Sequence, residues 1–135
     1  MIPIALQVAA GQCTRLQLYG DDYATTDGTC VRDYIHVADL AAAYLLALEA
    51  MTAGEHRVYN LWTGAGFSNR QVIDVVREVT RHPVPMDVAP RRPGDPANLV
   101  ASSEKARTEL GWTPQKPNLH EIVADAWNFH RTFCS

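Results

Sequence analysis

The run LAAAYLLAL, Leu40 to Leu48, constrains this chain more than any other stretch. A helix built from it is apolar nearly all round and needs cover on more than one side. Asp39 and Glu49 bound the run, so it falls well short of the ~20 apolar residues that span a bilayer. A membrane-spanning chain is therefore excluded, and the segment reads as a buried helix from Asp39 to about Met51. With 135 residues, 47% of them apolar, the chain is the size of one domain, taken here as residues 1–135.

The rest of the sequence alternates short β-prone runs with helical ones, without repeats or low-complexity tracts, which places it in the α/β or α+β class. Ile4 to Ala10 carries apolar residues at helical spacing and stops at Gly11, and Leu16 to Tyr19 is β-prone. Gly20 to Thr29, GDDYATTDGT, is dense in turn formers and reads as a loop. Val31 to Val37 predicts a strand, with Arg32, Tyr34 and His36 on one face; Asp33 falls on the more apolar face and needs a partner. Arg57 to Leu61, RVYNL, predicts a buried strand. A turn, WTGAGF, then leads to a helix from Ser68, with Ser68 and Gln71 forming a capping box. Val84 to Ala89 suits a strand, and Pro90 to Asn98 a loop. Two more helices fit Ser103 to Leu110, ending at Gly111, and Leu119 to about Phe133, capped by Asn118.

The net charge of −3 argues against a nucleic-acid surface. Cys13, Cys30 and Cys134 contain no CxxC pair, so they offer neither a metal site nor a disulfide framework and read as free thiols. The opening MIPIALQVAAGQ lacks a basic start, so it does not read as a secretory leader and a cytoplasmic address is the default expectation.

Three constellations could carry chemistry. Gly64 and Gly66 lie between a strand and a helix, as in a dinucleotide-binding turn. The third glycine is replaced by Asn69 and the acidic residue is missing, so the segment reads as a tight turn. Arg91 and Arg92, stiffened by Pro90 and Pro93, offer planar forks suited to phosphate; the alternative is a solvated loop paired with carboxylates such as Asp95. Arg32, Tyr34 and His36 could meet a ligand from one strand face, or serve only as satisfied structural groups. The sequence holds no GxSxG, HExxH or Walker loop. No self-contained catalytic site or metal site is expected.

Four motifs in order, GDDYATTDGTCVRDYIHVADL, VYNLWTGAGFSN, APRRPGD and KARTELGW, resemble the carboxy-terminal part of the UDP-glucose 4-epimerase family of extended short-chain dehydrogenases/reductases. The resemblance runs from residue 1 to about Trp127. It implies the substrate-binding carboxy-terminal portion of an NAD-dependent Rossmann-type epimerase, with the Rossmann lobe largely absent. It also implies a role with UDP-glucose and UDP-galactose in galactose metabolism. The family's NAD loop and its catalytic Tyr-x-x-x-Lys pair have no counterpart: Tyr19, Tyr23, Tyr34, Tyr44 and Tyr59 are followed four residues on by Tyr23, Asp27, Ala38, Leu48 and Thr63. NAD is thus implied by the family without a site in this chain, and the chain alone is expected to be inactive.

Carried over residue by residue, the resemblance implies that Gln17, Leu18 and Tyr19 pack the uracil through backbone and ring. Arg32 and Arg92 would neutralise the pyrophosphate, and Asp95 would accept from a ribose hydroxyl. Leu99 occupies the position that limits sugar size, leaving plain and N-acetylated hexoses both open. Trp62 and Ser102 depart from the family's usual Gly and Asp. Met1 aligns beyond the catalytic Tyr, so the sequence reads as an internal start. In the resembling fold the helix from Asp39 and the strand at Val58 to Leu61 pack on the Rossmann lobe; uncovered, they form a sticky patch that predicts marginal stability or self-association. The alternatives are a non-catalytic module docking a separate Rossmann-lobe chain, or part of a nucleotide-sugar dehydratase or reductase.

Overall fold

A computed structural model describes residues 1–133; Cys134, read above as a free thiol, lies outside them. The order is α1 (Ile2–Ala9), β1 (Leu16–Tyr19), β2 (Val31–Asp33), α2 (Val37–Glu49), β3 (Gly66–Ser68), α3 (Asn69–Thr80), β4 (Met86–Ala89), β5 (Asn98–Leu99), α4 (Glu104–Leu110) and α5 (Leu119–Phe133). β1 and β4 pair in parallel, Leu16 opposite Met86 and Tyr19 opposite Ala89. β2 lies between β3, antiparallel, and β5, parallel.

The main core forms where α1, α3 and α5 pack together over β1. α3 supplies Val72, Ile73 and Val76, all fully buried, because apolar residues three and four apart share one face of a helix. Leu6, Leu16, Leu18, Ile122 and Val123 complete it. Burying side chains of this kind contributes roughly 1.5–3 kcal/mol each before the entropy of ordering them is subtracted. The capping box forms as expected: Gln71 N–H donates to Ser68 Oγ at 3.1 Å, and Ser68 N–H donates to Gln71 Oε1 at 2.8 Å. Asn118 likewise starts α5, its side chain accepting from His120 N–H at 2.8 Å.

The other half of the molecule departs from expectation. α2 buries only Asp39 and Ala43, against a small cluster of Ala106 and Trp112. Its Tyr44, Leu45 and Leu48 are about two-thirds exposed (66%, 64% and 64%). The expected cover on several sides is therefore absent within residues 1–133. The expected strand at Arg57–Leu61 does not form either: no neighbouring strand offers it a ladder, and Val58 is 60% exposed. Among the described residues no strand pairs with it.

The expected strand Val31–Val37 stops at Asp33. The reason is local, since His36 leaves the strand direction and accepts from Ala38 N–H through Nδ1 at 3.0 Å. That bond caps α2, which begins at Val37 and not Asp39. Asp33 has the partner it needs, accepting from Ala101 N–H at 3.0 Å. β3 and β5 were not expected; they run three and two residues, shorter than any periodicity can reveal.

Candidate functional site

The parallel pairing of β1 with β4 brings the loop after β4 against Tyr19. Gly20 N–H donates to Ala89 O at 2.8 Å, so Pro90 to Asp95 leaves the sheet beside the end of β1. The Arg92 guanidinium lies 3.9 Å over the centroid of the Tyr19 ring, a cation–π contact worth about 0.5–1 kcal/mol at an exposed site. Among the described residues no carboxylate pairs with Arg92, which leaves its fork free for an anion.

Next to it the turn closes: Asp95 N–H donates to Arg92 O at 3.3 Å, and Gly94 takes the positive φ of +83° that such a reversal requires. The Asp95 carboxylate accepts from Arg32 at 3.3 Å, and Arg32 also donates to Pro96 O at 2.9 Å. β5 then sets Leu99 in register with Arg32, its side chain 57% exposed. Tyr19, Arg92, Asp95, Arg32 and Leu99 thus form one continuous series of neighbours.

Gln17 shares the Tyr19 side of β1 and is exposed, whereas Leu18 points the other way into the core, fully buried. Only the backbone of Leu18 can therefore meet a ligand. The surface combines an aromatic ring, a free cation, and a cation and a carboxylate that pair with each other. Such a set can stack a planar base, neutralise phosphate and accept from a hydroxyl.

The third constellation does not converge. Arg32 turns to Asp95, and Tyr34 packs against the main core, where burial pushes its phenol up to about 12. His36 is a satisfied structural group. With Nδ1 accepting from Ala38, Nε2 carries the proton and donates to Asp125 Oδ2 at 3.0 Å. Lys116 joins the same carboxylate at 2.6 Å. Hydrogen bonds from Lys116, then His36, hold Asp125 below the usual carboxylate range.

A profile of the GDP-mannose 4,6 dehydratase family matches residues 1–126. The chain belongs to this family. It is 58% identical over 129 residues to the UDP-glucose 4-epimerase of Corynebacterium glutamicum, covering 96% of this chain and 39% of that protein. A crystal structure of a UDP-glucose 4-epimerase superposes with a TM-score of 0.92 at 52% identity, covering 99% of this chain and 41% of the other. The Bifidobacterium longum UDP-glucose 4-epimerase, in complex with NAD+ and UDP, superposes with a TM-score of 0.91 at 40% identity over 98% of this chain and 39% of its own. The chain thus spans about 40% of the length of these relatives, matching the carboxy-terminal part of the epimerase fold.

The dehydratase-family match and the NAD-bound relative raise the question whether the Gly64–Gly66 turn could hold a dinucleotide. It does not fit. At the start of α3, Asn69 N–H donates to Cys30 O at 3.0 Å, Arg70 N–H to Thr29 Oγ1 at 3.2 Å and Gln71 N–H to Ser68 Oγ. The donors a pyrophosphate would use are already committed. The Asp27 carboxylate adds a negative charge beside them, accepting from Ser68 Oγ at 2.5 Å and Thr29 Oγ1 at 2.7 Å. Burial pushes Asp27 up, but those bonds outweigh it and leave its pKa lowered.

Sequence reasoning missed the partners of Arg91. Its guanidinium binds Asp22 and stacks 4.3 Å over the Tyr23 ring, groups 68 or 69 positions away that no local pattern ties to it.

Proposed function

We propose that this chain is the UDP-sugar-gripping region, residues 1–135, of a protein whose complete form carries out UDP-glucose 4-epimerisation. Tyr19, with Gln17 and the Leu18 backbone, packs the uracil. Arg92 and Arg32 neutralise the pyrophosphate, Asp95 accepts from a ribose hydroxyl, and Leu99 bounds the sugar. The observation that carries this reading is the unbroken series Tyr19–Arg92–Asp95–Arg32–Leu99, running from the end of β1 through the loop after β4 to β2 and β5. It puts a ring, two cations and an acceptor on one surface, the kinds of group that the base, the phosphates and the ribose of a nucleoside diphosphate call for. The chain alone turns nothing over, because no Tyr-x-x-x-Lys pair or dinucleotide turn is present to move a hydride; NAD would be supplied elsewhere.

Proton–nitrogen correlation spectra during titration with UDP-galactose test the binding. Saturable shifts around Tyr19 and Arg92, lost in Arg92→Ala, support the reading; spectra that ignore the ligand sink it. Epimerisation by pure chain plus NAD would refute the predicted inactivity.

A second reading rests on the exposed α2 face and the unpaired segment at Arg57–Leu61: the chain docks a separate Rossmann-lobe chain and works only in that complex. Light scattering after mixing with the amino-terminal portion of the Corynebacterium glutamicum relative decides it. A one-to-one complex supports docking, and two independent species refute it. The name of the matching family keeps a nucleotide-sugar dehydratase as the rival reaction, which product analysis of such a complex distinguishes from epimerisation.

A further inference from the structure

We propose that Arg91 is a positioning residue that locks the Arg92 loop to the rigid 20–29 loop, so that Arg92 is held over Tyr19 before any ligand arrives. The proposal rests on the UDP-binding reading above only for its consequence; the lock itself is a property of the fold.

Three features carry it. The first is the fork of Arg91, whose Nε donates to Asp22 Oδ1 at 2.6 Å while Nη2 donates to Asp22 O. One side chain thus grips both the carboxylate and the backbone of a single residue, which fixes direction as well as distance. The second is the bed on which Arg91 lies. Its guanidinium sits 4.3 Å over the ring of Tyr23, which is buried. Gly20 leaves the room: a Cβ there would fall 2.7 Å from Arg91 Cγ and 2.6 Å from the Tyr23 ring, at a φ of +80°. Any side chain at 20 would force the Tyr23 ring or Arg91 to shift.

The third is the stiffness of the loop that Arg91 grips. Tyr23 N–H donates to Gly28 O at 2.8 Å, and Thr25 Oγ1 donates to Thr29 O at 2.8 Å. Gly28 sits so close to Asp21 O that a Cβ would come within 1.9 Å of it. Asp27 and Thr29 tie the loop to Ser68 and Arg70 at the start of α3, and α3 is the centre of the core. A line of fixed contacts therefore runs from the core to Asp22 and Arg91, and covalently to Arg92. At the other end of the same turn Arg32 holds Asp95. Arg92 stands between two clamps, with Pro90 and Pro93 removing backbone freedom on either side.

The two arginines thereby divide the work. Arg91 is neutralised by Asp22, whose carboxyl it holds below the ordinary range, and serves geometry. Arg92 is unneutralised and meets the anion. The rival role for Arg91, a second phosphate ligand, predicts the opposite response when Asp22 loses its charge, because Arg91 would then be released toward the ligand.

The test uses the whole chain with Asp22→Asn and Arg91→Met, both distant from the core. The side-chain Nε–H and Hδ resonances of Arg92, displaced by the Tyr19 ring current in the wild type, report the loop position without ligand. Collapse of that displacement in both variants supports the lock, and its survival overturns it. Calorimetric titration with UDP then reads the consequence. Both variants are expected to lower affinity about 5-fold to 10-fold, and the double variant no further, as for residues acting through one contact. Tighter UDP binding by Asp22→Asn overturns the positioning role. Should the wild type bind no UDP, the binding reading fails, while the ring-current measurement still decides the lock.

Discussion

α2 and α3 have nearly the same length and meet opposite fates. α3 is polar on one face and buries Val72, Ile73 and Val76 completely; α2 is far more apolar and buries little beyond Asp39 and Ala43. Hydrophobicity alone therefore does not place a helix inside. α3 is matched by α1 and α5, whose apolar stripes meet it in the same chain, whereas the counterpart of α2 is absent from the described residues. The segment at Arg57–Leu61 repeats the lesson for a strand, because a ladder needs a second strand before it exists.

The strongest way to break the comparison is to damage the matched side. Ile73→Ala empties a site with no solvent access at the meeting of α1, α3 and α5. Such a deletion costs about 2–5 kcal/mol through lost burial and a residual cavity, a large part of any small domain's stability. Urea unfolding reads the loss. A change below about 1 kcal/mol would mean that this core is not packed as described.

Asp39→Ala attacks a firm anchor of α2. The buried carboxylate accepts from Gln115 N–H at 2.8 Å and Lys116 N–H at 2.9 Å, and its carbonyl accepts from Trp112 Nε1 at 2.9 Å. Losing the side chain strands two backbone donors, at a cost of about 1.5–3 kcal/mol. Hydrogen exchange should quicken first in α2 and at 115–116, leaving α3 protected; uniform quickening would show that the two halves unfold as one.

Alkali sharpens the boundary between them. Tyr34 packs at the edge of the main core with its phenol raised to about 12. A group that ionises less readily when folded lends stability below the unfolded pKa of about 10, and loses it as pH rises toward the folded value. Tyr34 should therefore ionise late in a spectrophotometric titration, as should Tyr23, whose phenol is also raised by burial, and Tyr34→Phe should remove one tyrosine from that late step along with part of the alkaline sensitivity. If Tyr34→Phe leaves the late ionisation undiminished, Tyr34 is not shielded as the structure has it.

Much of this layout was legible in the sequence, and the failures share a cause. β1, the 20–29 loop, the capping box at Ser68, Gly111 after α4 and Asn118 before α5 follow from local rules that residues within four positions satisfy. RVYNL and the cover of α2 misled because their apolar patterns find no counterpart among the described residues. His36 was placed on a strand face with Arg32 and Tyr34, yet its ring nitrogen captures the Ala38 N–H and ends the strand. At the candidate site, the motif resemblance named Gln17, Leu18, Tyr19, Arg32, Arg92, Asp95 and Leu99, but not that Arg32 and Asp95 pair. Nor could it give the seat of Arg91, which depends on Gly20, Asp22 and Tyr23 meeting a loop some 70 positions on.

The smallest expected effect on stability is the most informative about α2. Leu45 and Leu48 are each 64% exposed, so changing both to Lys removes little burial from this chain and should shift stability by no more than about 0.5 kcal/mol. Lys is also a good helix former, which preserves α2 itself. Association is where the change should appear. A contiguous apolar face including Val37, Tyr44, Leu45, Leu48 and Met51, rimmed by polar residues, drives contact with whatever surface is available. Sedimentation velocity over a range of concentrations should show self-association in the wild type and a monomer in the double variant. A wild type that stays monomeric at every concentration would mean that this face is less adhesive than its composition requires. A double variant that loses several kcal/mol would mean that α2 is matched within the chain after all, and the contrast with α3 would fall.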